Sequence, residues 1–379
     1  MQIRRTAAIA APAFAGITVG FVLGRLISVP GSTQFWDIAA QPAATAFAGF
    51  GAITAGFLAF RNGEKGRAQD ALHHRKASES ERESNLRERY TTAASQLGDE
   101  NPAIREAGIY AVGALADDWV RFGEQAGQKD LARSELQACV NLLCSYLRAN
   151  RRISGGEALP DSASERGMAA APAQIRAEEY DVRRAVVGVI RERSEQWHLH
   201  SDGGAALVLD LGGADLDSDD LVGADLSGVI LSGANLTQAD LAGAKLVKAR
   251  IDMAELSDVL MHRAKLADAD LSLSNLSGAL LFDSDLTGAG FVRTNLSNAD
   301  LRGANLSSAL MTEADLTSAD LREADLAGAD LTRATLDGAD LSGANLTGVM
   351  LDGANYNDAT KWPYDFSPNA GDASEVQGE

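Results

Sequence analysis

The chain has 379 residues, with 53 acidic against 34 basic side chains, a formal net charge of −19 and only two cysteines. That is too long for one compact core, too poor in cysteine for a disulfide framework, and too acidic for a basic nucleic-acid binder. With 45% hydrophobic residues it has more aliphatic content than a disordered chain. The acidity is local: residues 205–359 hold 25 Asp/Glu and 9 Lys/Arg, whereas acids and bases balance over the first 204.

The N-terminal 62 residues read as a membrane anchor. Two apolar runs, about 6–26 and 38–60, each approach the ~20 residues that a helix needs to cross ~30 Å of hydrocarbon. Arg4 and Arg5 precede the first run, and Arg61, Lys65 and Arg67 follow the second. The positive-inside rule then predicts a two-helix transmembrane hairpin in the inner membrane with both termini cytoplasmic. The alternative is an exported or single-anchor chain, since Ala11-Pro12-Ala13 loosely matches a signal cleavage site.

Residues 63–152 read as α-helical. Leu86, Tyr90, Ala93 and Leu97 recur at helical spacing. Asn101-Pro102 then opens a helix expected to reach about Asp118 and to bury Ile104, Ile109, Val112 and Leu115. A third helix spans about 131–150. Residues 153–173, rich in Gly, Ser, Ala and Pro, read as a linker. The helix at 174–198 offers Tyr180, Val182, Val186, Val189 and Ile190 as its apolar face, and leads into the next module.

Little chemistry marks this region. Cys139 and Cys144 lie about 140° apart on a helix and so share no metal face; core packing is expected. His198 and His200 make at most two ligands, a weak case for zinc. His73 and His74 lie on a charged, solvated face. No cofactor and no enzymatic chemistry are expected.

From residue 199 to 359 the sequence obeys a period of five. Every fifth residue from Leu211 is apolar: Leu211, Leu216, Leu221, Leu226, Leu231, Leu236, Leu241, Leu246, Ile251 and onward through Phe291 and Met311 to Tyr356. Two places earlier the residue is usually Ala, one earlier Asp or Asn, one later Ser or Thr, and two later often Gly. Five fits neither the helical period of 3.6 nor the strand period of 2. It fits a chain that turns a corner every five residues, four sides to a coil, with coils stacked at ~4.8 Å. The thirty repeats then make between seven and eight coils, a rod of roughly 36 Å.

The A(D/N)LxG pattern, plain in Ala324-Asp325-Leu326-Ala327-Gly328, resembles the pentapeptide-repeat family. That resemblance implies a right-handed quadrilateral β-helix and no single activity. The helical runs Glu88-Arg89-Tyr90, Arg105-Glu106-Ala107-Gly108 and Tyr180-Asp181-Val182-Arg183-Arg184 are similar to membrane-anchored bacterial members. Residues 360–379 resemble the family's closing segment, with Trp362 and Phe366 capping the last coil ahead of a disordered tail. The expected fold is therefore mixed: hairpin, α-helical region, then solenoid.

Stacking at a spacing of twenty predicts surface features. Asp219 is an acid at an inward place, so distortion of the first coil is expected. Leu260 and Leu280 are apolar at outward places, with Phe282 on the same side and Lys245 above Lys265 in the same middle coils. These five residues form the candidate partner-binding patch, with drift of the repeat as the competing explanation. The expected role is a membrane-anchored, non-enzymatic scaffold for an unidentified cytoplasmic protein, without direct nucleic-acid binding. The alternative that the resemblance suggests is a DNA-mimic inhibitor of an enzyme such as a topoisomerase. The sequence leaves the oligomeric state open.

Overall fold

The computed structural model describes residues 33–149, 173–199, 207–368 and 373–375. The chain divides into two compact units, residues 1–80 and 81–379. The first apolar run and the 153–172 part of the linker lie outside the described residues.

The first unit contributes the start of α1, a 65-residue helix spanning Thr33–Leu97. The run at 38–60 and the charged stretch after it are thus one continuous helix. From residue 54 to 78 nearly every side chain is exposed, Phe57, Leu58, Phe60 and Leu72 included. Among the described residues no helix is long and apolar enough to cross a membrane.

In the second unit the end of α1 joins α2 (Pro102–Ala126), α3 (Lys129–Arg148) and α4 (Ala173–Leu199). The N-cap Asn101 accepts the Ala103 N–H at 3.0 Å, and Pro102 needs no such partner. α2 runs eight residues past the expected stop at Asp118 because the left-handed cap it requires comes only at Gly127, φ 68°. Asp117 and Asp118 are instead mid-helix anchors: Asp118 pairs with Arg89 and Arg121, while Asp117 accepts from the Trp197 indole. Gly123 lets α2 approach α3, since a Cβ there would stand 2.5 Å from that of Ala132.

Ile109, Val112, Leu115, Trp119, Val140, Leu143, Val186, Ile190 and Trp197 fill the bundle core, with Cys139 and Cys144 fully buried among them. Burial pushes both thiols up to about 12. Two expected core residues are exposed: Ile104 sits on the outer face of the first turn of α2, and Tyr180 carries the Arg184 guanidinium over its ring. Arg105 is the polar pin of the bundle. It donates to Glu179 (2.9 Å), the Tyr146 hydroxyl (3.2 Å) and the carbonyls of Asp99 and Glu100, so α2, α3 and α4 are tied through one buried cation.

Residues 207–356 form the solenoid. Parallel bridges join residues twenty apart without interruption from Asp210↔Ile230 to Thr335↔Asn355, giving four sides per coil. The five-residue motif is explained place by place. The Leu and Ala places point to the axis and are buried up to the last coil, where Val349 and Tyr356 are half-buried, with Leu211 to Leu246, Ile251, Phe291 and Met311 at no more than 1% exposure. The Asp or Asn accepts the N–H two residues ahead, as Asp240 does from Ala242 at 3.0 Å, fixing the corner as an Asx-turn. A following Ser or Thr hydroxyl donates back to it, as Thr237 does to Asn235 at 2.8 Å. The fifth residue has φ near +60° at every corner, which is why Gly recurs there.

Where the small inward place holds Ser274 or Thr294, the hydroxyl donates to the carbonyl of Ile251 or Leu271. Asp219 does not distort its coil: the Asp219 N–H still bonds Leu216 and the bridge pattern continues. Its carboxylate is buried with Oδ1 unsatisfied, tolerated because Arg183 and Arg184 lie close enough to oppose the cost of burial.

The rod closes through a one-residue slip. Asp340 bridges Lys361, a spacing of twenty-one, with Thr360 turned inward and its hydroxyl donating to Leu336. Trp362 and Phe366 pack against the core beside a half-buried Tyr356, with ring centroids 5.4 Å apart at each step. The expected tail is not wholly irregular, since β1 (Ala354–Tyr356) pairs in parallel with β2 (Ala373–Glu375). That strand covers backbone groups the last coil would leave open.

Candidate interaction surface

Both ends of the rod are occupied, so its binding surface is its four sides. At the N-terminal end the bundle grips every corner acid of the first coil. Arg148 pairs with Asp210 and Arg191 with Asp220; the Arg183 guanidinium donates to the Asp215 carbonyl at 3.0 Å; the Asp225 N–H donates to Ser194 Oγ at 3.0 Å. Gln137 exchanges two hydrogen bonds with the backbone of Val208. His198 is used here too, its Nδ1 at 2.8 Å from the Ser194 carbonyl and Nε2 at 3.2 Å from that of Ser227. Both ring nitrogens are therefore committed, and no cluster suited to a metal occurs among the described residues. This docking has no signature in the repeat pattern. The signal for it lay in α4, whose Arg183, Arg191, Ser194 and His198 recur at helical spacing.

Each side, named for its acid in the first coil, has its own chemistry. On the Asp220 side, Leu260 bridges Leu280 and both are half-buried. Phe282 stacks on His262 (centroids 4.8 Å, 9° between planes) under the Arg302 guanidinium at 5.9 Å. Arg302 and Arg322 fork onto Asp300 and Asp320. The Arg322 hydrogen bonds hold the Asp320 carboxyl below the usual carboxylate range. This accounts for the Asp300–Asp320–Asp340 ladder, whose third member is paired with Lys361.

Lys245 and Lys265 lie on the next side, that of Asp225, and are neighbours in its ladder. The five-residue candidate patch is thus split between two adjacent sides. Lys245 is bound to Glu195 and Asp225, whereas Lys265 is exposed.

The Asp215 side carries an Asn ladder, with Asn235 donating to Asp215, Asn275 to Glu255 and Asn295 to Asn275. With its following corner it holds Asp215, Asp217, Glu255, Asp258, Asp315 and Asp337, and from 215 to 338 no Lys or Arg.

The Asp210 side and its following corner hold the most exposed apolar residues of the rod: Met253 (59%), Leu273 (55%), Leu310 and Met350. None of these was singled out from the sequence. Met253 and Leu273 occupy Gly places in the motif, whereas Leu310 and Met350 occupy Asp/Asn places.

A family model described as "Pentapeptide repeats" matches eight copies between residues 220 and 355. No curated protein matches the chain. Among solved structures, HetL, a pentapeptide repeat protein involved in heterocyst differentiation regulation in Nostoc sp. strain PCC 7120, is 32% identical over 38% of this chain and 75% of its own, at a TM-score of 0.22. A second pentapeptide repeat protein from Nostoc is 31% identical over 34% of this chain and 84% of its own, TM-score 0.18. QnrB1, a plasmid-mediated fluoroquinolone resistance protein, is 22% identical over 40% of this chain and 76% of its own, TM-score 0.30. The five-residue motif, the twenty-residue bridge spacing and the family match agree: the chain belongs to the pentapeptide-repeat family, whose members form right-handed quadrilateral β-helices.

Proposed function

We propose that the protein is a membrane-anchored scaffold, without catalytic activity of its own, that offers the sides of its solenoid to cytoplasmic protein partners. The observation that carries this reading is the sorting of outward residues by side. A solenoid is stabilised by its axis and leaves its outer places free to vary. Here acids without bases occupy one side, lysines a second and exposed apolar groups a third. Such separation gives several partners distinct chemistry on one rigid body.

The anchor is supported by the uncharged run 38–60, by exposed Phe57, Leu58 and Phe60, and by the bases Arg61, Lys65 and Arg67 that follow. With the run at 6–26 as the second crossing of a hairpin, both termini are cytoplasmic. The test is fractionation and proximity labelling with the intact chain. A carbonate-resistant membrane pellet and a labelled set of cytoplasmic proteins are expected. A chain released by carbonate removes the anchor, and labelling indistinguishable from a membrane control removes the scaffold.

A second reading is favoured by one side only. The base-free Asp215 side presents acids in four of its coils, as a mimic of duplex phosphates would, and a topoisomerase such as gyrase is the enzyme to test. Inhibition of supercoiling by the full chain at micromolar concentration, lost when Glu255, Asp258 and Asp315 are replaced by Gln or Asn, supports mimicry.

A further inference from the structure

Sixteen non-glycine residues of the rod have positive φ at the fifth place of the motif, and fourteen of them are polar or charged. The two exceptions are Met253 (φ 57°) and Leu273 (φ 63°), which sit in adjacent coils on the same corner. The left-handed conformation costs a side-chain-bearing residue roughly 1–2 kcal/mol, least for Asn and Asp. Nothing in the fold repays that cost here, because these two side chains are more than half exposed. An apolar pair that is both strained and exposed is what a contact surface requires and a folding core does not.

The neighbours identify the occupant. In the same two coils Arg250 stands beside Asp270 on one flank and Glu255 beside Asn275 on the other, with Asp252 next to Ser272 at the corner itself. Arg250 and Asp270 are both exposed and take part in no ion pair among the described residues. A two-fold axis across the rod, passing between the two coils, brings each member of a pair opposite the other member in a second copy. Met253 then meets Leu273, Arg250 meets Asp270, Asp252 meets Ser272 and Glu255 meets Asn275. The apolar column and the Arg250–Asp270 column are complementary under this one operation, as an isologous interface demands, while Glu255 and Asn275 at the margin are bonded to each other within each chain.

Rods meeting corner to corner can cross at an angle, as packed sheets do at about 30°, which confines contact to the middle coils. We infer that the corner built on Met253 and Leu273 is a homodimer interface, joining a second copy of this chain antiparallel to the first.

The test measures the mass of the full chain in detergent by sedimentation. Wild type is expected at twice the chain mass. Arg250→Asp alone and Asp270→Arg alone are expected to be monomeric, and the double variant R250D/D270R to recover the dimer. Met253→Asn with Leu273→Asn, which suits positive φ and leaves the fold intact by circular dichroism, is expected to be monomeric. A wild-type monomer, or a dimer that survives both single charge reversals, overturns the inference. So does a double reversal that stays monomeric while folded.

Discussion

Ser194 of α4 stands where a coil is missing: its Oγ accepts the Asp225 N–H at 3.0 Å, while one storey later the Lys245 N–H reaches the Ala224 carbonyl at 2.9 Å. A helix side chain thus supplies the acceptor that a preceding coil would have provided. Ser194 is fully buried, so no water can substitute. Ser194→Ala should destabilise the chain by about 1–3 kcal/mol, the cost of one buried unpaired donor. A calorimetric Tm equal to that of wild type would contradict this account of the end cap.

Burial pushes the Asp219 carboxyl up to about 6, against the partial relief given by Arg183 and Arg184. A folded-state value above the unfolded one means stability is greatest at acid pH and falls as pH rises from about 4 through 6. A shift of about two units corresponds to roughly 3 kcal/mol. Asp219→Ala, which restores the motif, should therefore stabilise the protein at pH 7.5 by up to that amount and have little effect near pH 4. Chemical denaturation at the two pH values checks the sign. Equal gains at both would assign the benefit to packing rather than to the charge.

Arg105 serves three helices at once, so its removal strands Glu179 in a partly buried site. Arg105→Ala is expected to cost about 3–5 kcal/mol, as removing one member of a buried pair does. Arg105→Met with Glu179→Leu should recover much of that, which a denaturant series on wild type and the two variants would show.

In the rod, Leu306 is fully buried on the axis. Leu306→Ala is expected to cost about 2–5 kcal/mol through the cavity it leaves. Phe291→Leu restores the residue usual at that place and should cost less than about 1.5 kcal/mol. Thermal melts of both variants test whether the axis behaves as a continuous close-packed core.

The solenoid was legible in the sequence because each of its places obeys a local rule repeated thirty times: a small residue inward, an Asx-turn, an aliphatic plug, a left-handed corner. The cap at Trp362 and Phe366 was legible through the resemblance of residues 360–379 to the family's closing segment. What escaped was non-periodic. The end of α2 at Gly127 was missed because Asp117-Asp118 looks like a stop when its partners Arg89, Arg193 and Trp197 are far away in sequence. The four-point grip of the bundle on the first coil depends on α3 and α4 meeting the rod, and its one local sign is the helical spacing of Arg183, Arg191, Ser194 and His198 along α4. Among the apolar candidates on the Asp220 side, Phe282 lies between His262 and Arg302 and Leu260 and Leu280 are half-buried, contacts that the repeat pattern does not encode, while the strained corner at Met253 and Leu273 shows itself only through its backbone angles.

Twenty-residue bridging has an evolutionary corollary. Gain or loss of four motifs lengthens or shortens the molecule by one storey and leaves every downstream group at its old compass bearing. Gain or loss of a single motif keeps the axis filled yet swings everything beyond it by a quarter turn, so that a partner reading one bearing finds its groups displaced to the next. Insertions in such a chain are thus quantised by what the outside must preserve, even though the inside would accept any multiple of five.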